Sequence, residues 1–331
     1  MTKKILVWLL VVFFVANVSV AQAQQAAKIP RIGYLGGTSP SGSRPRIEAF
    51  RQGLRELGYV EGKNIVIEWR HHDGKYDRLP ALAAELVRLK VDIIITVGPP
   101  AARAAKEATT TIPIVMMNVG DPVGSGFVAS LARPGGNITG LSSLAPELSG
   151  KRLELLKEIV PRFSRAAVFG TSTSPDNAQL LKEVELAAGA LKVKLQYLDI
   201  RDPRDPKAVD SAFRAASKGR AEAVLMMAEG AVASGHRTQI LDLAVKSRLP
   251  VIYNGRASVE AGGLMSYGVI SNDLDRRAAA YVDKILKGRT PADLPVEQPM
   301  KFEFVINLKA AQQINLTIPP NVLVRADRVI R

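Results

Sequence analysis

The residues of this chain best suited to chemistry are groups that hold a ligand, not groups that react with one. They gather where apolar runs end. Thr38 and Ser39 follow the run at 32–35, Gly98 and Ala101 follow 91–97, and Asp121 follows 112–117. Thr171, Ser172 and Ser174 follow 165–169, Glu229 follows 221–227, and Tyr253 with Asn254 closes 249–253. Hydroxyls and amides donate and accept, and N–H groups at a helix start can hold an anion. Pro99 and Pro100 lack an N–H, which leaves Ala101 and Ala102 as the donors of their loop. Asp121 and Glu229 could accept from a cation such as an α-ammonium. This set is the expected ligand-binding site.

Catalytic machinery is not legible. There is no Gly-x-Ser-x-Gly, no His-Glu-x-x-His and no phosphate loop ending in Gly-Lys-Ser/Thr. Cysteine is absent, which removes thiol nucleophiles, thiolate metal sites and disulfides together. Histidine occurs only at 71, 72 and 236. His71 and His72 are neighbours and would face opposite ways on a strand, so they read as a solvated strand end and not as a metal pair. Gly124-x-Gly126-x-x-Ala129 matches a loose dinucleotide fingerprint, but Asp121-Pro122 intervenes and no acidic residue follows at the distance a ribose needs. Its structural alternative is a tight approach of a helix, expected near 127–131, to a cleft. No catalytic residue, metal, cofactor or enzymatic activity is expected.

The elements that would carry these loops repeat. A strand at 32–35 leads to a helix with Ile47, Phe50, Leu54 and Leu57 on one face. A strand at 64–69, a helix (Leu79, Leu82, Leu86, Leu89), a continuous apolar strand at 91–97, a helix at 101–108 and a strand at 112–117 follow. A second block repeats the pattern: strand 165–169, helix (Leu180, Val184, Ala187, Leu191), strand 194–198, helix 206–217, strand 221–227, helix 236–246 and strand 249–253. Alternating strands and helices predict an α/β fold with two similar doubly wound parallel-sheet lobes. Ligands in such sheets bind beyond the carboxyl ends of the strands, where the loops above lie.

Three further strands join the lobes in this reading. The chain is expected to cross at 137–142, return at 264–270 and cross again near 302–306, with Asn137, Gly140, Gly262, Gly263, Gly268 and Phe304 as hinge residues. Lobe 1 then comprises 31–140 plus 268–301, and lobe 2 comprises 141–267 plus 302–331.

The first residues read as a signal peptide. Lys3 and Lys4 precede an apolar run at 5–15, and Ala21-Gln22-Ala23 offers a cleavage site near Ala23. Its removal (1–23) takes the formal charge from +14 to +12. No run of five Lys or Arg occurs and aromatics are 5%, so the charge reads as solvated helix faces and nucleic acid is not an expected partner. Export, no cysteine for a lipid anchor and no membrane span favour a free periplasmic protein, expected to be a monomer.

These features converge on a known family. Asp121-Pro122-Val123-Gly124, Gly135-Gly136-Asn137-Ile138-Thr139-Gly140, Glu260-Ala261-Gly262-Gly263-Leu264-Met265-Ser266-Tyr267-Gly268 and Phe302-Glu303-Phe304-Val305-Ile306-Asn307-Leu308-Lys309 resemble the ABC-transporter substrate-binding proteins related to tryptophan-binding receptors. The resemblance implies a type I periplasmic-binding fold, the Venus-flytrap architecture. It also implies a small-molecule ligand held between lobes and delivery to a membrane permease with its ATPase. In the amino-acid-binding relatives, loops matching Gly98 to Ala101, Asp121, Thr171 to Ser174 and Glu229 line the cleft. The expected function is capture of a small polar organic ligand, an amino acid or an aromatic carboxylate, by hinge closure. The alternative is a ligand-sensing input protein of the same fold for a membrane signalling partner. An aromatic sandwich for the ligand would use Tyr34, Tyr253 or Tyr267.

Overall fold

Two sheets organise the computed structural model, which describes residues 28–37, 44–73, 75–174, 176–202, 205–227 and 234–331. Residues 31–331 form one compact unit that carries both sheets. The signal-peptide reading falls outside the described residues.

The first sheet has five parallel strands: β1 (Arg31–Leu35), β2 (Val66–Arg70), β3 (Ile93–Val97), β4 (Ile114–Val119) and β5 (Ile138–Ser142), in the order β2-β1-β3-β4-β5. Its inner strands are apolar on both faces because helices cover both. On one face α2 (Leu79–Arg88) and α3 (Gly98–Ala108) bring Leu82, Leu86 and Ala105 against Ile94, Ile114 and Met116. On the other, α1 (Arg44–Glu56) brings Phe50 and Leu54 against Ile93, Ile95 and Val115.

The second sheet has seven strands. They are β6 (Arg165–Gly170), β7 (Lys194–Asp199), β8 (Ala223–Met226), β9 (Val251–Tyr253), β10 (Met265–Val269), β11 (Phe302–Asn307) and β12 (Arg328–Ile330), in the order β12-β11-β10-β9-β8-β6-β7. Only β10 and β11 pair antiparallel. Alternate residues of β6 face opposite cores. Ala166 and Val168 meet α4 (Ala145–Ile159) and α5 (Asn177–Leu191), while Ala167 and Phe169 meet α6 (Pro206–Lys218) and α7 (Ser234–Ser247). The short helices α8 (Arg256–Glu260), α10 (Leu308–Gln313) and α11 (Pro320–Leu323) complete this lobe, and α9 (Ser271–Leu286) packs beside α1 on the first. Two parallel-sheet lobes of the same architecture make this an α/β fold of the type I periplasmic-binding kind.

The chain passes between the sheets three times. It leaves β5 through Ser143 and Leu144 into α4, leaves β10 through Ile270 into α9, and returns through residues 298–301 into β11. The last two passages lie side by side, because β10 and β11 pair from Met265↔Ile306 to Val269↔Phe302. The first is tied to them by Glu297, whose backbone exchanges hydrogen bonds with Gly140 and Ser142 (3.0 and 2.9 Å).

One local expectation is corrected, and one helix was not foreseen. No helix forms at 127–131: turns run from Pro122 to Gly126, with the N–H of Phe127 bonded to the Pro122 carbonyl at 2.8 Å. The segment is short, and Pro134-Gly135-Gly136 stops any propagation. Helix α4, unanticipated, spans 15 residues and buries Leu153, Leu156 and Ile159 against the second sheet.

Candidate functional site

Strand ends from both sheets meet across a cleft of about 430 Å³. The first lobe supplies Tyr34 at the end of β1, Val97 to Ala101 where β3 becomes α3, and Asn118 near the end of β4. The second supplies Thr171, Ser174, Asp176 and Asn177 between β6 and α5, Met227 after β8 and Asn254 after β9. Ser143, Val269 and Ser271 lie at or beside the first two crossings. The walls are mixed: Leu79, Leu148, Leu180 and Met227 are apolar, and the Tyr34 and Tyr76 rings add aromatic surface with a polar tip.

Three arginines reach this cleft, and Asp176 is the acidic residue among its described lining. Arg46 on α1 is held bidentate by Asp275 on α9, with Nε and Nη2 donating at 2.9 and 3.0 Å. Burial opposes its charge, but the Asp275 carboxylate outweighs that and keeps the guanidinium firmly protonated. The pair welds α1 to α9 at the rim. Arg152 on α4 donates through Nε to the Tyr267 carbonyl at 2.7 Å and through Nη1 to Ser149 Oγ at 3.4 Å, which fixes α4 against β10. Arg237 on α7 is half-buried, and its Nε has no hydrogen-bond partner among the described residues.

His72 corrects the sequence reading. It is 6% exposed, lines the cleft and lies 4.9 Å from the Tyr76 ring, and its Nδ1 has no partner among the described residues. Burial pushes its pKa down, against the pull of Asp73, and so favours a neutral imidazole. The alternation rule holds only while the strand lasts, and β2 ends at Arg70. Asn118 sits at φ 59°, a left-handed conformation asparagine tolerates, where the β4–β5 register shifts between Met117 and Val119.

Of the expected ligand-binding residues, the structure brings Gly98, Ala101, Thr171, Ser174 and Asn254 to the cleft. Ser172 is turned away: its N–H and hydroxyl both donate to Asp199, at 2.8 and 2.6 Å. Tyr253 is buried in the core of lobe 2 beside Val251 and Ile240. Asp121 is not among the lining residues, and its carboxylate accepts from the N–H groups of Val123 and Gly124. Thr38, Ser39 and Glu229 lie outside the described residues. Of the tyrosines considered for an aromatic sandwich, only Tyr34 reaches the cleft, and Tyr267 lies between Phe302 and Phe304.

The expected hinge residues fall in three places. Gly140, Gly268 and Phe304 are on the strands next to the crossings, and a Cβ on Gly268 would overlap the Asn254 carbonyl. Gly262 and Gly263 lie inside lobe 2, between α8 and β10, where a Cβ on Gly263 would stand 2.7 Å from the Tyr253 ring. Asn137 pins the far end of β5, donating to the carbonyls of Thr109 and Ile112 at 3.2 and 2.9 Å.

Sequence reasoning missed Arg46, Arg152, Arg237, His72 and Tyr76 as lining residues. One signal was available: Arg152 falls on the apolar face of α4, among Leu148, Leu155, Leu156 and Ile159, where a charge needs a reason.

The sequence model of a family described as ABC transporter substrate binding protein matches residues 41–330. The tyrosine-binding protein of Clostridioides difficile is 27% identical over 283 residues, 85% of this chain and 80% of that protein. A conserved domain protein from Vibrio cholerae superposes with a TM-score of 0.84 at 28% identity, covering 91% of this chain and 100% of that one. The ABC domain from Streptococcus pneumonia, solved in complex with L-Trp, superposes with a TM-score of 0.83 at 26% identity, covering 91% and 99%.

Proposed function

Because the chain belongs to the ABC transporter substrate-binding proteins, which bind their ligands and do not transform them, we propose that it is the exported solute receptor of an importer. It captures a small polar organic ligand, an amino acid or an aromatic carboxylate, by closure of the two lobes. It then presents the closed form to a membrane permease and its ATPase, acting as a periplasmic monomer after signal-peptide removal near Ala23. The observation that carries this reading is the cleft itself: its volume suits one small molecule, and its lining comes from both sheets.

The lining supports the ligand class. Arg152, Arg237 and the starts of α3 and α5 favour a carboxylate, while Tyr34, Tyr76, Leu148, Leu180 and Met227 suit an apolar or aromatic body. The relatives named for tyrosine and solved with L-Trp point the same way. Thr38, Ser39 and Glu229 keep their proposed contacts, Glu229 as acceptor for an ammonium. Lobes of 31–140 plus 268–301 and 141–267 plus 302–331 follow the sheet memberships except at two strand ends, since β5 stays in the first sheet to Ser142 and β10 in the second to Val269, with closure about the three crossings. Contacts made with both lobes exist only in the closed form, so the ligand shifts the equilibrium by its differential affinity.

A thermal-shift screen of amino acids and aromatic acids tests this reading. A ligand at about a hundred times its Kd adds about 2.7 kcal/mol and raises the unfolding midpoint. L-tyrosine, L-tryptophan or an aromatic carboxylate is expected to do so; a midpoint unmoved by every member of both classes at millimolar concentration contradicts the proposal.

A further inference from the structure

Asp121 carries a role that the cleft does not explain. Its Oδ1 accepts from the N–H groups of Val123 (3.1 Å) and Gly124 (2.8 Å), which locks the turn after β4. With that turn fixed, Oδ2 is aimed away from lobe 1 and accepts a hydrogen bond from Nε2 of Gln179, in the first turn of α5 on lobe 2. Gly124 makes room: a Cβ there would overlap Asp121 Oδ2 and stand 3.0 Å from Gln179 Nε2. Thus the glycine that opens the look-alike dinucleotide fingerprint permits a side-chain bond between lobes. Neither Asp121 nor Gln179 lines the cleft.

We propose that Asp121 and Gln179 form a closure latch, a positioning pair that holds the lobes together without touching the ligand. The inference rests on capture by closure. A bond present only in the closed form raises the fraction of protein competent to bind, and apparent affinity scales with that fraction. Loss of the latch therefore weakens every ligand by one common factor, whereas loss of a ligand contact discriminates between ligands.

The cysteine-free sequence allows a direct test. Spin labels on Leu57→Cys and Leu186→Cys, exposed positions beside α1 and on α5, report the distance between lobes without ligand. Q179A removes the donor, Q179E sets two carboxylates against each other, and the exchange D121N/Q179E puts donor and acceptor back in opposite places while keeping the Oδ1 acceptor of the turn. Thermal unfolding of each variant confirms that it is folded. Q179E is expected to lose the short-distance population and to weaken L-tyrosine and L-tryptophan equally, by about tenfold, as for one hydrogen bond to a charged group. Q179A falls between it and the parent, and the exchange restores both readouts. An unchanged distance distribution in Q179E, unequal losses for the two amino acids, or no rescue by the exchange overturns the latch. If neither amino acid binds the parent, the ligand reading fails separately and the ligand-free distances alone decide the latch.

Discussion

His71 and His72 give single residues a measurable consequence. Burial lowers both imidazole pKa values, most clearly against the pull of Asp73, so the folded protein holds neutral rings where an unfolded chain takes up protons. Below about pH 6.5 the unfolded state binds more protons than the folded one, so stability is full above that pH and falls as pH drops through it. The unfolding midpoint should fall by a few degrees between pH 7 and pH 5, the scale on which about 1 kcal/mol moves a chain of this kind. H72Q should reduce the fall; an equal fall in H72Q contradicts the assignment. Carboxylates act in a different window. Glu222 is held low by the N–H of Ser164, and Asp199 by bonds from Ser172 that outweigh its burial, so their contributions are lost only on further acidification. The cleft location of His72 was not legible from the sequence, because it lies in irregular backbone after β2 where no periodicity assigns a face. Arg46 was hidden for another reason: its partner Asp275 lies 229 residues away.

Among the elements, β10 carries the sharpest distinction. Gly268 lies at its exit, where a Cβ would overlap the Asn254 carbonyl, and Asn254 lines the cleft. Gly263 lies before its start, where a Cβ would stand 2.7 Å from the Tyr253 ring and 2.8 Å from the Ser258 carbonyl. G263V should overpack lobe 2 and cost about 1–3 kcal/mol, read as a lower denaturation midpoint with ligand affinity kept in the protein that remains folded. G268A should cost affinity as well, because it displaces the β9 exit. Equal affinity loss in the two variants would contradict this division. Periodicity made most of the βα elements legible, since each buries one apolar stripe and the inner strands bury both faces. Helix α4 escaped notice for a physical reason: Ser149 and Arg152 interrupt its buried face, which weakens the amphipathic signal where the helix approaches the cleft.

At the scale of the whole molecule, three crossings connect the lobes near one rim, and the cleft lies between strand ends of the two sheets. The closure proposed above would rotate the lobes about these short connections while each core stays intact. Two similar blocks implied two sheets, and the glycine-rich run 260–268 marked one return between them, although Gly262 and Gly263 pack within lobe 2 while Gly268 adjoins the crossing. The pairing of β10 with β11 was not legible, because 32 residues separate the strands and antiparallel register depends on contacts distant in the chain. Small-angle scattering with and without the ligand that gives the largest thermal shift measures the central claim most directly. Closure predicts a smaller radius of gyration at saturation; an unchanged radius with ligand demonstrably bound would contradict it.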